Sequence, residues 1–124
     1  MMHNLLETLG IKQVSVSKNN VIISLNITDA IKQPYGIVHG GINAVLAESA
    51  ASIGGNANLD DTHVAVGLDV HTHHLKPAAT GELVASATPI RIGRTTQVWQ
   101  VETRVGETLT SFSTVTLAVT VKPA

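Results

Sequence analysis

The sequence predicts an α+β fold in which an antiparallel sheet wraps around one long central helix. Residues 40–58 place small and apolar side chains at helical spacing, so they form the one long predicted helix. Four later segments are instead long, rich in β-branched residues and separated by turn residues, which is typical of strands. Because the helical segment is apolar on most of its faces, we expect the sheet to bury it.

Two short strands precede this helix. Residues 4–9 are predicted to form a short amphipathic helix that ends at Gly10. Residues 11–17 and 21–27 alternate apolar and polar side chains, and the polar residues 18–20 between them form a predicted hairpin turn.

Four strands follow the helix, whose C-terminal end is weakened by a pair of glycines at 54 and 55. They are predicted over residues 64–75, 82–92, 95–105 and 109–121. The breaks between them are too short for the crossovers that parallel strands need, so we expect antiparallel pairing.

Composition favours one domain with an aliphatic core that assembles with copies of itself. The 124 residues, taken as one domain over 1–124, are 44% hydrophobic but only 2% aromatic. Charged residues make up 14%, against about 25% in typical soluble domains. So few charges leave apolar surface uncovered on a monomer, which favours a homo-oligomer, at least a dimer.

Several classes of function are disfavoured by charge and by residue content. A net charge of −1 provides no broad field for nucleic acid or an anionic membrane. The absence of cysteine excludes disulfides, thiolate metal sites and cysteine nucleophiles. The first residues lack the pattern of a signal peptide and no apolar run is long enough for a membrane span, so we expect a cytoplasmic protein.

Glu48 is the most informative single residue. It is the only fully charged side chain between Lys32 and Asp60, in a segment of small and aliphatic residues where we expect it to be largely buried. A buried carboxylate must shift its pKa or find a partner. Two explanations fit: a structural carboxylate satisfied by backbone amides, or a group retained for chemistry.

The start of the long helix is a second candidate for chemistry. Gly40 and Gly41 follow His39 and leave the first backbone amides open to a ligand. Such amides suit an oxygen that becomes negatively charged, although a tight strand-to-helix turn would explain the glycines equally well. Gly40 and Glu48 lie about 12 Å apart along the helix axis, so a second, antiparallel copy would be needed to bring both to one small group.

The order and spacing of these motifs resemble the hotdog-fold acyl-CoA thioesterases. The similarity is to the branch of the phenylacetate-pathway, 4-hydroxybenzoyl-CoA and 1,4-dihydroxy-2-naphthoyl-CoA thioesterases, and it spans roughly residues 30 to 120. The segments that carry it are Gln33-Pro34-Tyr35-Gly36, His39-Gly40-Gly41, Ala47-Glu48-Ser49, Val66-Gly67-Leu68-Asp69-Val70, His74 and Gly93-Arg94-Thr95-Thr96-Gln97-Val98-Trp99.

The resemblance implies a role for each matching site residue. Glu48 would be the catalytic carboxylate, acting as nucleophile or as general base for water. The Gly40 amide would hold the thioester oxygen, and Gln33 would donate a further hydrogen bond. His39 would position the acyl or thioester group, and Ser52 would lie near the carboxylate.

Two further implications concern the substrate and the assembly. Gly41 and His74 would contact the substrate, His74 near the acyl pocket. The CoA thioester is itself the substrate, so no separate cofactor is expected. In the family the two subunits of a dimer share each site, and dimers often pair into tetramers, so a homotetramer is expected.

The turn around Gly93 is the candidate site for the CoA phosphates. Arg91 and Arg94 flank it, and guanidinium groups suit phosphate. The alternative is that both are ordinary solvated turn charges.

A metal site is the main competing interpretation of the histidines. His71 and His73 share one face of a predicted strand with Asp69, and His39 or His63 could complete a set of ligands. Surface histidines at a sheet edge explain the pair more simply, and the resembling branch uses no metal, so we expect none.

The leading hypothesis is an acyl-CoA thioesterase that hydrolyses an aromatic or medium-size acyl-CoA to free acid and CoA. The alternatives are a non-catalytic acyl-CoA binder or sensor with the same fold, and a metal-dependent enzyme built on His71 and His73.

Overall fold

A long helix lies against one face of a six-stranded antiparallel sheet in the computed structural model of the protein, which describes residues 4–123. The elements in chain order are α1 (Leu5–Leu9), β1 (Lys12–Val16), β2 (Val21–Asn26), a 3-10 turn (Asp29–Ile31), α2 (Gly40–Ala57), β3 (His63–His74), β4 (Glu82–Ile92), β5 (Thr96–Val105) and β6 (Thr108–Val121). The strand order is β1-β2-β4-β5-β6-β3, with every neighbouring pair antiparallel.

The architecture predicted from the sequence is therefore confirmed. Each predicted helix and strand is present, and the predicted bounds differ from the observed ones by no more than 1 residue at either end. The sequence patterns did not predict the 3-10 turn at Asp29–Ile31. Within residues 4–123, no helix is both long enough and apolar enough to cross a membrane.

The two helices are capped by polar side chains and by a glycine. Asn4 begins α1 by accepting a hydrogen bond from the Glu7 amide, and Gly10 ends it in the left-handed conformation at φ 75°. His39 caps α2, because its ring nitrogen Nδ1 accepts from the Gly41 amide at 2.9 Å.

The close approach of α2 to the sheet depends on two glycines near the helix end. A Cβ on Gly54 would lie 2.7 Å from Cζ3 of the Trp99 ring, inside any real carbon contact. A Cβ on Gly55 would meet Cδ1 of Leu117 at 2.6 Å and Oε1 of Gln97 at 2.8 Å. The sequence suggested that this pair weakens the helix, but its main effect is to let the sheet and helix touch.

A buried hydrogen-bonded pair joins the sheet to the helix at this point. Trp99 and Gln97 are both fully buried, and the Trp99 indole N–H donates to Oε1 of Gln97 at 2.9 Å. Gln97 in turn donates from Nε2 to the Gly55 carbonyl at 3.2 Å. The polar atoms of both side chains are thus satisfied inside an apolar core, which removes most of the cost of burying them.

The sheet covers one face of α2, although the apolar character of most of its faces predicted a buried helix. The buried residues of α2 are Asn43, Leu46, Ala47, Ala50, Ala51, Gly54 and Gly55. Glu48 on the opposite side is exposed. A single curved sheet can cover one side of a helix, so the remaining side of α2 leaves apolar side chains partly exposed in the single chain.

The strand β3 forms a long edge of the sheet. Its 12 residues pair with β6 alone, and the apolar side chains of Val66 and Leu68 are 44% and 60% exposed. The Asn56 side chain hydrogen-bonds both the amide and the carbonyl of Ala65, at 3.0 and 3.4 Å. The Asn56 side chain thus occupies one end of the exposed edge of β3. The rest of that edge is available for pairing with another strand.

Substitution of Gly54 by alanine should destabilise the protein even though alanine favours helix. Overpacking typically costs about 1–3 kcal/mol, which outweighs the gain of about 1 kcal/mol in helix propensity. Chemical denaturation of Gly54→Ala measures this. In a Trp99→Phe background the shorter ring leaves room for the methyl group, so the cost of Gly54→Ala should shrink. An equal cost in both backgrounds would show that the Trp99 ring is not the obstacle.

Candidate active site

The loop before α2 positions Gln33 through a tight hairpin. Lys32 and Val38 form an isolated antiparallel bridge. Within it the Gln33 amide donates to the Ile37 carbonyl at 2.9 Å, and the Gln33 carbonyl accepts from Gly36 at 3.0 Å. Gly36 takes the left-handed conformation at φ 83°, as expected for a three-residue hairpin loop that ends in glycine.

The first turn of α2 has one amide N–H that is free to bind a ligand. The Gly41 amide is already bound by the ring of His39. The Gly40 amide has no hydrogen-bond partner among residues 4–123. Free amides at a helix start lie at the positive end of the helix dipole, so this N–H suits a carbonyl oxygen that gains negative charge. Of the two glycines proposed for the site, Gly40 offers a free donor and Gly41 does not.

A cavity of about 480 Å³ lies at the start of α2. It brings together Gln33, Gly40 and His74, three of the residues predicted from the sequence. The His74 ring covers Gly40 so closely that a Cβ there would lie 2.9 Å from the ring carbon Cε1. The other lining residues are Ile37, Val38, Asn43, Leu75, Lys76, Pro77, Ala78 and Thr110.

The Glu48 side chain lies against the backbone of the edge strand β3. Its carboxyl group rests on Gly67, where a Cβ would approach Cδ of Glu48 to 3.1 Å and Oε2 more closely still. Gly67 therefore gives the carboxyl group the space it occupies. The expectation that Glu48 is largely buried is wrong for the single chain, because the face of α2 that carries it is left open.

Glu48 belongs to a second cavity, of about 600 Å³. Ser52, one helical turn later, lies in the same cavity, as predicted. The cavity is completed by Leu5, Leu6, Val45, Ser49, Ile53 and Asn56. None of these residues lines the Gly40 cavity, so Gln33, Gly40 and His74 are separated from Glu48 and Ser52 within one chain.

The candidate phosphate-binding residues lie near the far end of α2 from Gly40. The Gly93 amide donates to the Thr96 carbonyl at 2.9 Å, next to Gln97, whose side chain contacts Gly55. Helix α2 is 18 residues long, so its two ends are about 27 Å apart. Arg91 and Arg94 are exposed in this turn, and neither lines either cavity.

The paired histidines of β3 do not form a metal site in the described part of the chain. His71 and His73 pair with Thr114 and Phe112, on the face of the sheet opposite to that of His74. His63, at the other end of β3, is bound to Asp60 at 3.0 Å. Among residues 4–123, no group of three or more His, Asp or Glu side chains is placed to hold an ion.

The connection from α2 to β3 contains a polar cluster that is remote from both cavities. Hydrogen bonds from His63 and then from the hydroxyl and amide of Thr62 hold the pKa of the Asp60 carboxyl well below its ordinary value. The Asp60 side chain closes the turn through these bonds, so we assign the cluster to structure rather than to the site.

Two residues near the candidate site were not singled out from the sequence. Asn43 is 8% exposed, lines the Gly40 cavity and contacts His74. Gly67 lies under Glu48. Each carried a signal: Asn43 is an amide within an apolar helical segment, and Gly67 is a glycine inside a strand, where another group often approaches closely.

Comparison with known proteins places this geometry in a family. The profile of the thioesterase superfamily matches residues 35–111. A 1,4-dihydroxy-2-naphthoyl-CoA hydrolase of Listeria monocytogenes is 40% identical over 114 residues, which is 91% of this chain and 93% of that protein. A 1,4-dihydroxy-2-naphthoyl-CoA thioesterase of Arabidopsis thaliana is 38% identical over 77% of this chain and 61% of its own length.

A solved structure agrees with the sequence comparisons. The crystal structure of a Haemophilus influenzae thioesterase superposes with a TM-score of 0.92 at 34% identity, covering 96% of this chain and 84% of that one. The hotdog fold expected from the resemblance is confirmed, and the chain belongs to the thioesterase superfamily.

Proposed function

We propose that the protein is a homo-oligomeric acyl-CoA thioesterase that hydrolyses an aromatic or medium-size acyl-CoA, with Glu48 as the reacting carboxylate. The observation that carries the proposal is that the chain has both an accessible carboxylate, that of Glu48 lying against Gly67, and a free amide donor at Gly40. Membership of the thioesterase superfamily gives the reaction class, and the naphthoyl-CoA relatives favour an aromatic acyl group.

The two groups match what hydrolysis of a thioester requires. Glu48 either attacks the carbonyl carbon directly, forming an anhydride that water then opens, or removes a proton from the attacking water. In both routes the carbonyl oxygen becomes negative, and the Gly40 N–H would bind it. The C–S bond breaks and the thiolate of CoA leaves, so the products are a carboxylic acid and free CoA.

One chain does not bring these groups together, which supports a site shared between two chains. Gly40 and Glu48 are about 12 Å apart along the helix axis and line different cavities. The open edge of β3 passes directly beneath Glu48 at Gly67. A second copy added antiparallel along this edge would set its own Gly40 end beside Glu48 and would cover Val66 and Leu68.

The same arrangement accounts for the position of the arginines. Arg91 and Arg94 lie near the far end of α2 in their own chain. When the partner's Gly40 lies beside Glu48, this end of α2 lies about 14 Å further along the helix. A CoA bound with its thioester at Glu48 would therefore extend toward the guanidinium groups of the chain that provides Glu48.

Substitution of Glu48 by glutamine should abolish turnover without unfolding the protein. Glutamine keeps the shape but provides neither a nucleophile nor a base, and the residue is exposed in the single chain. Release of CoA from benzoyl-, hexanoyl- and palmitoyl-CoA can be followed with a thiol reagent. Full turnover by Glu48→Gln would refute the proposed role, whereas binding without hydrolysis by the wild type would identify an acyl-CoA sensor.

Mixing two inactive variants tests whether the site is shared. Glu48→Gln and Gln33→Ala each damage one half of it. When the two are co-expressed, each mixed dimer would contain one intact site and one doubly damaged site. Random pairing should then restore about a quarter of the wild-type activity. If both halves came from one chain, no mixed dimer would contain an intact site and activity would stay at the level of the single variants.

Substitution of Gly67 by alanine should lower turnover while leaving stability nearly unchanged. The new methyl group would occupy the position of the Glu48 carboxyl, and the atoms that must move are the free end of a flexible side chain. We expect kcat to fall at least about tenfold, since misplacing a reacting group by about 1 Å is costly. A crystal structure should show Glu48 in another rotamer. Wild-type kcat in Gly67→Ala would show that this resting position is not used.

A further inference from the structure

Asn43 has a buried side-chain amide to which the proposed chemistry assigns no role. It is 8% exposed and lines the Gly40 cavity. Its Oδ1 is buried and has no hydrogen-bond partner, the one such side-chain atom found within residues 4–123. A buried, unpaired polar atom costs about 1–3 kcal/mol, and such a group in a native protein calls for a functional explanation.

The one polar contact of this side chain is with a histidine. Nδ2 of Asn43 lies 3.2 Å from Nδ1 of His74. Because an amide nitrogen carries two N–H groups and no lone pair to share, Nδ2 can only donate to Nδ1. Reversing the amide would bring Oδ1 to the ring and would leave two N–H groups unpaired, in place of one N–H and one acceptor; unpaired buried N–H groups are the rarer of the two. The orientation with Nδ2 toward His74 is therefore favoured.

This hydrogen bond selects one form of the neutral ring. When Nδ1 accepts a hydrogen bond, the proton of a neutral imidazole must be on Nε2. Nε2 of His74 lies 3.0 Å from the position that a Cβ of Gly40 would occupy. Asn43 is three residues after Gly40, about 4.5 Å further along the helix. The ring thus has its acceptor toward Asn43 and its N–H toward the start of the helix, where the Gly40 amide is also free.

We infer that Asn43 is a positioning residue, which holds His74 in the Nε2–H form so that His74 and the Gly40 amide donate to the same substrate oxygen. The inference rests on the proposed function, since that oxygen belongs to the thioester. The ring of His39 is held in the same way: its Nδ1 accepts from the Gly41 amide, so its neutral form also carries the proton on Nε2. Two imidazole rings, those of His39 and His74, therefore lie near the start of α2, and the Nδ1 atom of each accepts a hydrogen bond.

The tautomer of His74 tests the inference without any substrate. A long-range ¹H–¹⁵N spectrum distinguishes the two neutral forms, because the protonated and bare ring nitrogens resonate far apart. In the wild type we expect the proton of His74 on Nε2. In Asn43→Asp a carboxylate of the same shape can only accept, so the proton should move to Nδ1. A wild-type ring with its proton on Nδ1, or a ring unchanged in Asn43→Asp, would overturn the inference.

Kinetics test the consequence for the reaction. At metal sites, loss of the hydrogen-bond partner that orients a histidine costs about 10-fold to 100-fold, and we expect a loss of the same order here. Asn43→Asp and Asn43→Leu should lower kcat by that factor and change KM little, because the donor acts on the charge of the transition state. In a His74→Ala background, Asn43→Leu should have no further effect on kcat. An equal loss with and without His74 would contradict the inference and assign Asn43 to structure alone.

A matched control separates the positioning role from general stability. Asn58 lies just after the opposite end of α2, and its side chain donates to two carbonyls, those of Lys18 and Gly54, both at 2.9 Å. Asn58→Leu should lower the melting temperature but leave the His74 tautomer and kcat unchanged. If the wild type hydrolyses no acyl-CoA, the proposed function fails, while the tautomer measurement still decides whether Asn43 orients His74.

Discussion

The contact between the end of α2 and the centre of the sheet determines the position of everything else in the molecule. Gly54 and Gly55 have no side chains to separate the helix from Trp99, Gln97 and Leu117. The hydrogen bond from Gln97 to the Gly55 carbonyl then fixes the position of the helix along its axis as well as its distance from the sheet. Since α2 is a rigid rod of 18 residues, fixing this end also fixes Gly40 and Glu48 relative to β3.

From that position the helix and the edge strand support each other's functional side chains. The Glu48 carboxyl group comes from α2 and rests on Gly67 of β3. The His74 ring comes from β3 and rests on Gly40 of α2. In each case a glycine on one element provides space for a side chain from the other. The donor at one end and the carboxylate in the middle are therefore held by the same pair of elements, even though they line different cavities.

Almost all of the fold could be predicted from the sequence, because the patterns that indicate helices and strands lie in short stretches of neighbouring residues. Strand alternation and helical spacing are properties of neighbouring residues, and short turns left antiparallel pairing as the one arrangement available. The burial of Glu48 was predicted wrongly because apolar neighbours in a sequence do not show which side of a helix a sheet will cover. The contact of Asn43 with His74 joins residues 31 apart, and no local pattern reveals it.

The separation of Gln33, Gly40 and His74 from Glu48 and Ser52 was anticipated in part from helix geometry. The rise of about 1.5 Å per residue already suggested that one small group could not easily contact both Gly40 and Glu48 of the same chain. What the spacing could not reveal is that a glycine of the edge strand lies beneath the carboxylate. That depends on the register of β3 with β6, which includes an irregularity between Gly67 and Asp69.

The glycine contact at Trp99 also limits how this protein can diversify. Any side chain added on the sheet-facing side of α2 near its end would push the helix away and displace both halves of the site at once. The open side of the helix has no sheet packed against it within the chain, and Val45, Ser49 and Ile53 line the cavity beside Glu48 there. Changes of acyl preference among descendants of this chain should therefore accumulate on one side of a single helix, while the other side stays invariant.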